Sequence, residues 1–236
     1  MATQPSPSPC STSSCAVPCP LSRADAAALV EAARVLDAAG FMPQKSGNLS
    51  LRDGDGFLIT PSGLPYAAMT ADDLVRCGRD GAVRGSGRPS SEWRLHAAIY
   101  RARPDAMAVV HTHSPMATAL SCARHPIPPI HYMVTLAGES GRRGIPCAAH
   151  ATFGTEALAQ SAVVALGAGL RATLLANHGV VALGATLAGA VALVREVENL
   201  AAQYLALRAA RIDPVLLSEA ELAEAAAMLG DYGRPV

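Results

Sequence analysis

Four residues of this chain have the types and spacing of a catalytic metal centre. His111 and His113 flank Thr112, Glu92 lies upstream beside Ser90 and Ser91, and His178 follows in Asn177-His178-Gly179. In a strand, residues two apart point to the same face, with Cα atoms roughly 6.5–7 Å apart. The run from Ala106 to His111 reads as a buried strand, so His111 and His113 emerge together where it ends. Neutral imidazoles and a carboxylate suit a zinc-like divalent ion, and a catalytic site leaves room for water or substrate. Glu92 would be a ligand that swings away as substrate enters and then serves as acid or base. A His-x-His pair alone is often an ordinary surface feature; the third histidine and the glutamate are what make this pattern read as an enzyme.

Three small-polar loops accompany the cluster. Ser90 and Ser91 sit where a helix should begin, offering hydroxyls and free backbone N–H groups that suit an anion such as phosphate. Ser46-Gly47-Asn48 and Pro61-Ser62-Gly63 resemble anion cradles. Taken singly, each is an ordinary cap or turn. Together with a metal cluster they point to an anionic substrate. His96, His125 and His150 read as core-satisfied or exposed rather than as ligands, although His96 follows Glu92 by one helical turn and can face the same side.

The elements that must position these residues follow from periodicity and punctuation. Residues 1–21 are rich in Ser, Pro, Thr and Cys, with neither the basic start nor the apolar run of a signal peptide, and read as a disordered leader. A catalytic domain over 22–236 follows. Ser22 caps a helix that Gly40 stops. Strand-like pieces come at Leu49–Arg52 and Phe57–Thr60, with a hairpin around Asp80-Gly81. Ser90 or Ser91 caps a helix to Arg103, ahead of Pro104. Helices at Pro115–Ala123, Thr155–Leu166 and Leu187 to about Arg211 alternate with strands at Ala172–Leu175 and Val180–Leu183. A capping box at Ser218 to Glu221 opens a last helix that Gly230 should stop. The interleaving predicts a single α/β domain.

Composition removes other function classes. Lys+Arg and Asp+Glu number 19 each in 236 residues, which removes the usual motive for a nucleic-acid or anionic-membrane partner. No apolar run approaches a membrane span. Cys10, Cys15 and Cys19 fall in the leader, while Cys77, Cys122 and Cys147 are scattered, as reduced cytoplasmic thiols are.

In order along the chain stand Ser-Gly-Asn-Leu-Ser (46–50), Thr-Pro-Ser-Gly (60–63), Pro-Ser-Ser-Glu-Trp-Arg-Leu-His (89–96), Val-Val-His-Thr-His (109–113) and Asn-His-Gly (177–179). This series resembles the class II aldolase/adducin family. Pro-Pro-Ile-His-Tyr-Met (128–133), Ile-Pro-Cys-Ala (145–148) and Ala-Thr-Phe-Gly-Thr (151–155) bring it nearest to the L-fuculose-1-phosphate aldolase branch. The resemblance covers about residues 22–233. It implies a central mixed, largely antiparallel β-sheet flanked by helices, in a homotetramer with active sites at subunit interfaces. It also implies zinc-dependent cleavage of a ketose 1-phosphate to dihydroxyacetone phosphate and an aldehyde, with Mn2+ or Co2+ as alternative ions. By motif, His111, His113 and His178 bind the metal, with Glu92 as ligand and acid/base. Gly47, Asn48, Ser62, Gly63, Ser90 and Ser91 hold the phosphate. Tyr132 matches a catalytic tyrosine supplied by a neighbouring subunit, and Phe153 and Tyr232 match the aldehyde side.

Lys45, Asn177 and the lengthened loop Glu139 to Arg143 depart from the family pattern and bear on aldehyde specificity. An aldolase for 5-deoxy- or 5-methylthio-ribulose 1-phosphate would keep every catalytic residue. A methylthioribulose-1-phosphate dehydratase or a pentulose-phosphate 4-epimerase uses the same fold, but epimerases of this kind carry aspartate where Glu92 stands. A non-catalytic adducin-like interaction module would lack the metal histidines.

Overall fold

Strand β1 (Asn48–Asp53) explains why the two faces of the central sheet differ. Alternation sends Leu49 and Leu51 to one face and Asn48, Ser50 and Arg52 to the other, and all five are buried. The computed structural model describes residues 21–138 and 143–231, so the leader, most of the Glu139–Arg143 loop and Tyr232 lie outside the described residues. The other strands are β2 (Gly56–Ile59), β3 (Val75–Gly78), β4 (Val83–Arg84), β5 (Ala108–Thr112), β6 (Cys147–Ala148), β7 (Ala172–Leu175) and β8 (Gly179–Gly184). They form one eight-stranded sheet in the order β4-β3-β2-β1-β5-β8-β7-β6. Every pairing is antiparallel except β6 with β7, which agrees with the mixed, largely antiparallel sheet expected.

Helices cover both faces. The core on one side joins α1 (Arg23–Ala38), α3 (Pro115–Cys122) and α5 (Leu187–Ala209) to Leu49, Leu51, Leu58 and Val110, with Leu222 of α6 (Glu219–Asp231) added. The core on the other side packs α2 (Trp93–Ala102) and α4 (Glu156–Leu166) against Phe57, Ile59, Val109 and Val181. Ser22 and Asp25 form the capping box that starts α1. Ser114, at the N-cap of α3, makes no capping bond; the Glu198 carboxylate from α5 accepts the Met116 and Ala117 N–H groups instead, each at 2.8 Å. No helix among the described residues is long and apolar enough to cross a membrane. Cys77, Cys122 and Cys147 are free thiols.

Two boundaries differ from the sequence expectation. Helix α2 begins at Trp93 with Glu92 as its N-cap, not at Ser90 or Ser91. The Ser90 hydroxyl accepts the Glu92 N–H and the Ser90 carbonyl accepts that of Trp93, so the serines form a turn ahead of the helix. Helix α6 runs through Gly230 to Asp231.

Arg52 fixes α2 from its far end. Its guanidinium donates to the carbonyls of Tyr100, Arg103 and Ala106 at 2.8–3.0 Å and lies 4.7 Å over the Tyr100 ring. The Tyr100 and Arg103 carbonyls belong to the end of α2, where a cation is favourable, and Ala106 follows in the turn to β5. Arg52→Met strands the buried Tyr100 and Ala106 carbonyls and is expected to lower stability by ~2–4 kcal/mol. Urea unfolding at constant m-value reads this loss. A loss below ~1 kcal/mol would show that the carbonyls find other partners.

Candidate metal centre and substrate cavity

The middle of the sheet delivers the histidines. His111 lies on β5, paired with Asn48 of β1 on one side and Val181 of β8 on the other. His113 follows the strand and is anchored by its N–H to the Phe41 carbonyl, 3.0 Å away. His178 sits in the tight connection from β7 to β8, after Asn177, which has φ +56°. Asparagine tolerates this left-handed conformation better than a bulkier side chain, which accounts for the residue at that position. Its side chain is held by Arg124 and by the Cys122 carbonyl. Gly179 and Gly47 admit no larger residue: a Cβ on either would collide with the β5 backbone, at 2.7 Å from the His111 carbonyl in the case of Gly47. Gly47 is held from behind by the buried Tyr66, whose hydroxyl donates to its carbonyl at 2.7 Å.

The three imidazoles converge edge to face, with centroids 4.8–4.9 Å apart. His111 Nδ1 lies 2.9 Å from the Val180 carbonyl, which can only accept, so the proton sits on Nδ1 and Nε2 faces inward. His111 Nε2 is 3.1 Å from His113 Nε2 and 3.0 Å from Glu92 Oε2, and His178 Nε2 is 3.2 Å from Glu92 Oε1. All four ligand atoms fall within 4.8 Å of one another. Glu92 Oε1 is buried and accepts no well-aligned hydrogen bond among the described residues. Lone pairs and a negative charge aimed at one point require a proton or a cation between them, so the residues fit a divalent ion.

Electrostatics without an ion agree. Burial by itself would raise the Glu92 carboxyl, but the adjacent His111 and His178 imidazoles outweigh it and hold the group well below the usual carboxylate range. For His111 burial opposes the charged form, yet the Glu92 carboxylate raises it. Burial, reinforced by His111 and His178, pushes His113 down to about 3, leaving it a neutral ligand.

A cavity of about 520 Å³ opens from the cluster. Gly47, Asn48, Ser62, Gly63, Ser90 and Ser91 line it together with Glu92, His113 and His178, so the three loops meet at one cavity. A bridge between Pro61 and Pro89, with Ser62 N–H to Arg88 O and Ser90 N–H to Thr60 O, ties two of them together. Lys45 lines the cavity from a backbone at φ +64°, next to Gln44 at φ +56°. Phe153 stands on the rim, 65% exposed. Tyr132 is not brought into the cavity: it is 45% exposed and stacks on His131. Tyr232 lies outside the described residues.

Asn48 lines the cavity among the residues expected to receive phosphate. Its side chain turns inward, donating from Nδ2 to Glu92 Oε2 at 3.1 Å and meeting His96 Nε2 through Oδ1. His96 is fully buried and hydrogen-bonded, as a core histidine should be, and His125 is exposed. His150 is also exposed, but lines the cavity. Sequence reasoning passed over Ser50, Tyr66 and Tyr100. The signal available for Ser50 was a polar residue among the apolar ones of a buried strand.

Comparisons with known proteins bear on what such a site does. The pattern of the Class II Aldolase and Adducin N-terminal domain matches residues 27–205. Over 176 residues the chain is 47% identical to the 5-methylthioribulose-1-phosphate/5-deoxyribulose-1-phosphate aldolase of Rhodospirillum rubrum, covering 75% of this chain and 78% of that protein. Over 189 residues it is 43% identical to the L-fuculose phosphate aldolase of Escherichia coli (strain K12), covering 80% and 86%. Among solved structures, an L-fuculose 1-phosphate aldolase superposes with a TM-score of 0.83 at 34% identity, covering 89% of this chain and 98% of that one.

Titration of the purified chain with Co2+ is expected to saturate at one ion per chain. His111→Ala and His113→Ala should each weaken binding by more than the ~10–100-fold that loss of an outer partner causes. Unchanged affinity in both variants would remove these histidines from the ligand set.

Proposed function

The chain belongs to the class II aldolase/adducin family, and we propose that it is a zinc-dependent aldolase that reversibly cleaves a ketose 1-phosphate to dihydroxyacetone phosphate and a short aldehyde. The observation that carries this reading is the convergence of His111, His113, His178 and Glu92 at the floor of a cavity rimmed by small-polar loops. A divalent ion held by the three imidazoles would supply Lewis-acid stabilisation of the oxyanion that develops as the C3–C4 bond breaks.

The chain's own residues have the remaining tasks. The phosphate is received by backbone and hydroxyl donors of Gly47, Ser62, Gly63, Ser90 and Ser91, with the Lys45 ammonium at the same mouth. The proton of the C4 hydroxyl must leave as the bond to C3 breaks and the aldehyde departs. Tyr132 of a neighbouring subunit takes it, in a homotetramer whose active sites lie at the interfaces. Its exposure on the isolated chain and its distance from the chain's own cavity suit this role. The three-carbon enediolate then needs a proton at C3, and Glu92 delivers the one it receives as the C4 hydroxyl proton is relayed from Tyr132 through the cavity. Phe153 faces the departing aldehyde. Fuculose, 5-deoxyribulose and 5-methylthioribulose phosphates all end in a methyl or methylthio group, which an apolar rim favours. A phosphorylated sugar substrate supports a cytoplasmic setting for this reaction.

The test is release of dihydroxyacetone phosphate from L-fuculose 1-phosphate, 5-deoxyribulose 1-phosphate and 5-methylthioribulose 1-phosphate, with and without chelator. Chelator-sensitive release is expected, and the order of kcat/KM identifies the substrate. No release from any of the three by the metal-loaded protein would favour a dehydratase on the same fold. Glu92→Gln should keep the fold and most phosphate binding while lowering turnover by a factor on the order of 10²–10⁴. Near-normal turnover in that variant would exclude Glu92 as the acid/base.

A further inference from the structure

Below Glu92 the sheet and α2 share a seam of polar groups that the reaction does not touch. On α2 and its cap, Glu92, His96 and Tyr100 recur every four residues and lie on one side; on β1, Asn48, Ser50 and Arg52 recur every two. Eight helical residues rise ~12 Å and four strand residues ~13 Å, so the two series stay in register. The contacts follow in order. Asn48 Nδ2 meets Glu92 Oε2 at 3.1 Å, Asn48 Oδ1 meets His96 Nε2 at 2.5 Å, His96 Nδ1 meets Ser50 Oγ at 2.6 Å, and Ser50 Oγ meets the Tyr100 hydroxyl at 2.8 Å. All five residues are at most 5% exposed.

We propose that Tyr100, Ser50 and His96 form a one-way hydrogen-bond chain that holds the Asn48 amide nitrogen against Glu92 Oε2, making Asn48 and His96 positioning residues for the reaction.

The direction of every link follows from the first. An ionised carboxylate only accepts, so the amide nitrogen of Asn48 must face it and its oxygen must face His96. That oxygen only accepts, so His96 carries its proton on Nε2. Its Nδ1 then accepts, which obliges the Ser50 hydroxyl to donate to it and the Tyr100 hydroxyl to donate to Ser50. The opposite tautomer of His96 would set two acceptors face to face and turn the Asn48 oxygen towards the carboxylate. Burial keeps His96 neutral and Tyr100 protonated, in keeping with fixed hydrogens. The chain ends in the core: His96, Ser50 and Tyr100 are each at most 1% exposed, so it has no exit to water and serves as an orienting device, not a proton path. Its effect is to make the two oxygens of Glu92 unequal. Oε2 is tied by Asn48, while Oε1 is buried against the His178 ring, 3.2 Å from Nε2.

The kinetic arm of the test rests on the aldolase reading; the spectroscopic arm does not. Long-range 1H–15N correlation on metal-free protein labelled in histidine is expected to show His96 as the Nε2–H tautomer. Ser50→Ala should keep the Nε2–H tautomer, because Asn48 Oδ1 still accepts, while shifting the Nδ1 resonance that loses its donor. In the metal-loaded enzyme, His96→Asn should lower kcat by ~10–100-fold with metal stoichiometry intact. His96→Gln, whose amide can donate from the Nε2 position, should stay within about threefold of wild type in kcat, and KM should hold throughout. The proposal is overturned by an Nδ1–H tautomer in the wild type, by full kcat in His96→Asn, or by His96→Gln falling as far as His96→Asn. A wild type with the expected tautomer but no aldolase activity would overturn the reaction assigned and leave the chain standing.

Discussion

A carboxylate on a side chain only 7% exposed is the constraint on which the rest of this site depends. Taking such a charge out of water costs several kcal/mol unless it is compensated on every side. Glu92 is compensated by two imidazoles on one flank, by the Asn48 amide on another and by its place at the N-cap of α2, where the helix dipole favours an anion. Each compensating group comes from a different element, so β1, β5, the β7–β8 turn and α2 must all be in place before the charge is tolerable. The chemistry and the tertiary structure are therefore coupled. A site assembled this way is rigid, because releasing any one contributor exposes the others to an unpaired buried charge.

Rigidity is divided unevenly between floor and mouth. The floor consists of sheet residues and helix-end residues fixed by backbone pairing: His111 between β1 and β8, Gly47 and Gly179 packed against β5 too closely for a side chain. The mouth consists of loops tied to one another by single bridges such as Pro61 with Pro89. The departures from the family pattern fall accordingly. Asn177 flanks His178 but stays within the conformational demand of φ +56°, whereas Lys45 changes the charge offered to a ligand at the rim. Substitutions at the rim alter what enters while the reacting groups stay as they are, which is how one fold serves several sugar phosphates.

Much of this was legible in the sequence, for identifiable reasons. The histidine strand was readable because an apolar run ending in His-x-His leaves period-two geometry no other choice. The helix starts at Ser22 and Ser218 were readable because capping boxes are local. The start of α2 was not. Ser90 and Ser91 look like caps, yet their hydroxyl and carbonyl are used to shape the turn that presents Glu92, and only the bridge to the 60–63 loop imposes that turn. Asn48 was read as a phosphate ligand because its loop resembles a cradle. The partner that takes its side chain is more than forty positions away on α2, a distance at which periodicity says nothing. His96 was correctly set aside as a ligand, but what it does could not be seen without knowing that β1 lies beneath it.

The same seam explains why the sheet carries polar residues in its interior at all. Replacing Asn48, Ser50, His96 and Tyr100 by apolar residues of similar volume would remove several buried hydrogen bonds, and such replacements are often neutral for stability when both partners go. Stability alone therefore gives no reason to keep them. What the apolar version would lose is the defined orientation of one amide beside one carboxylate oxygen. An amide can face a carboxylate in two ways that differ little in shape and greatly in charge, and packing cannot distinguish them. Hydrogen-bond polarity can, because it is propagated from a carboxylate that can only accept, and the enclosed Ser50 and Tyr100 hydroxyls complete it. The interior polarity of the sheet is thus best understood as specification of the site, with Arg52 fixing the helix end and the enclosed hydroxyls of Ser50 and Tyr100 completing the directed chain.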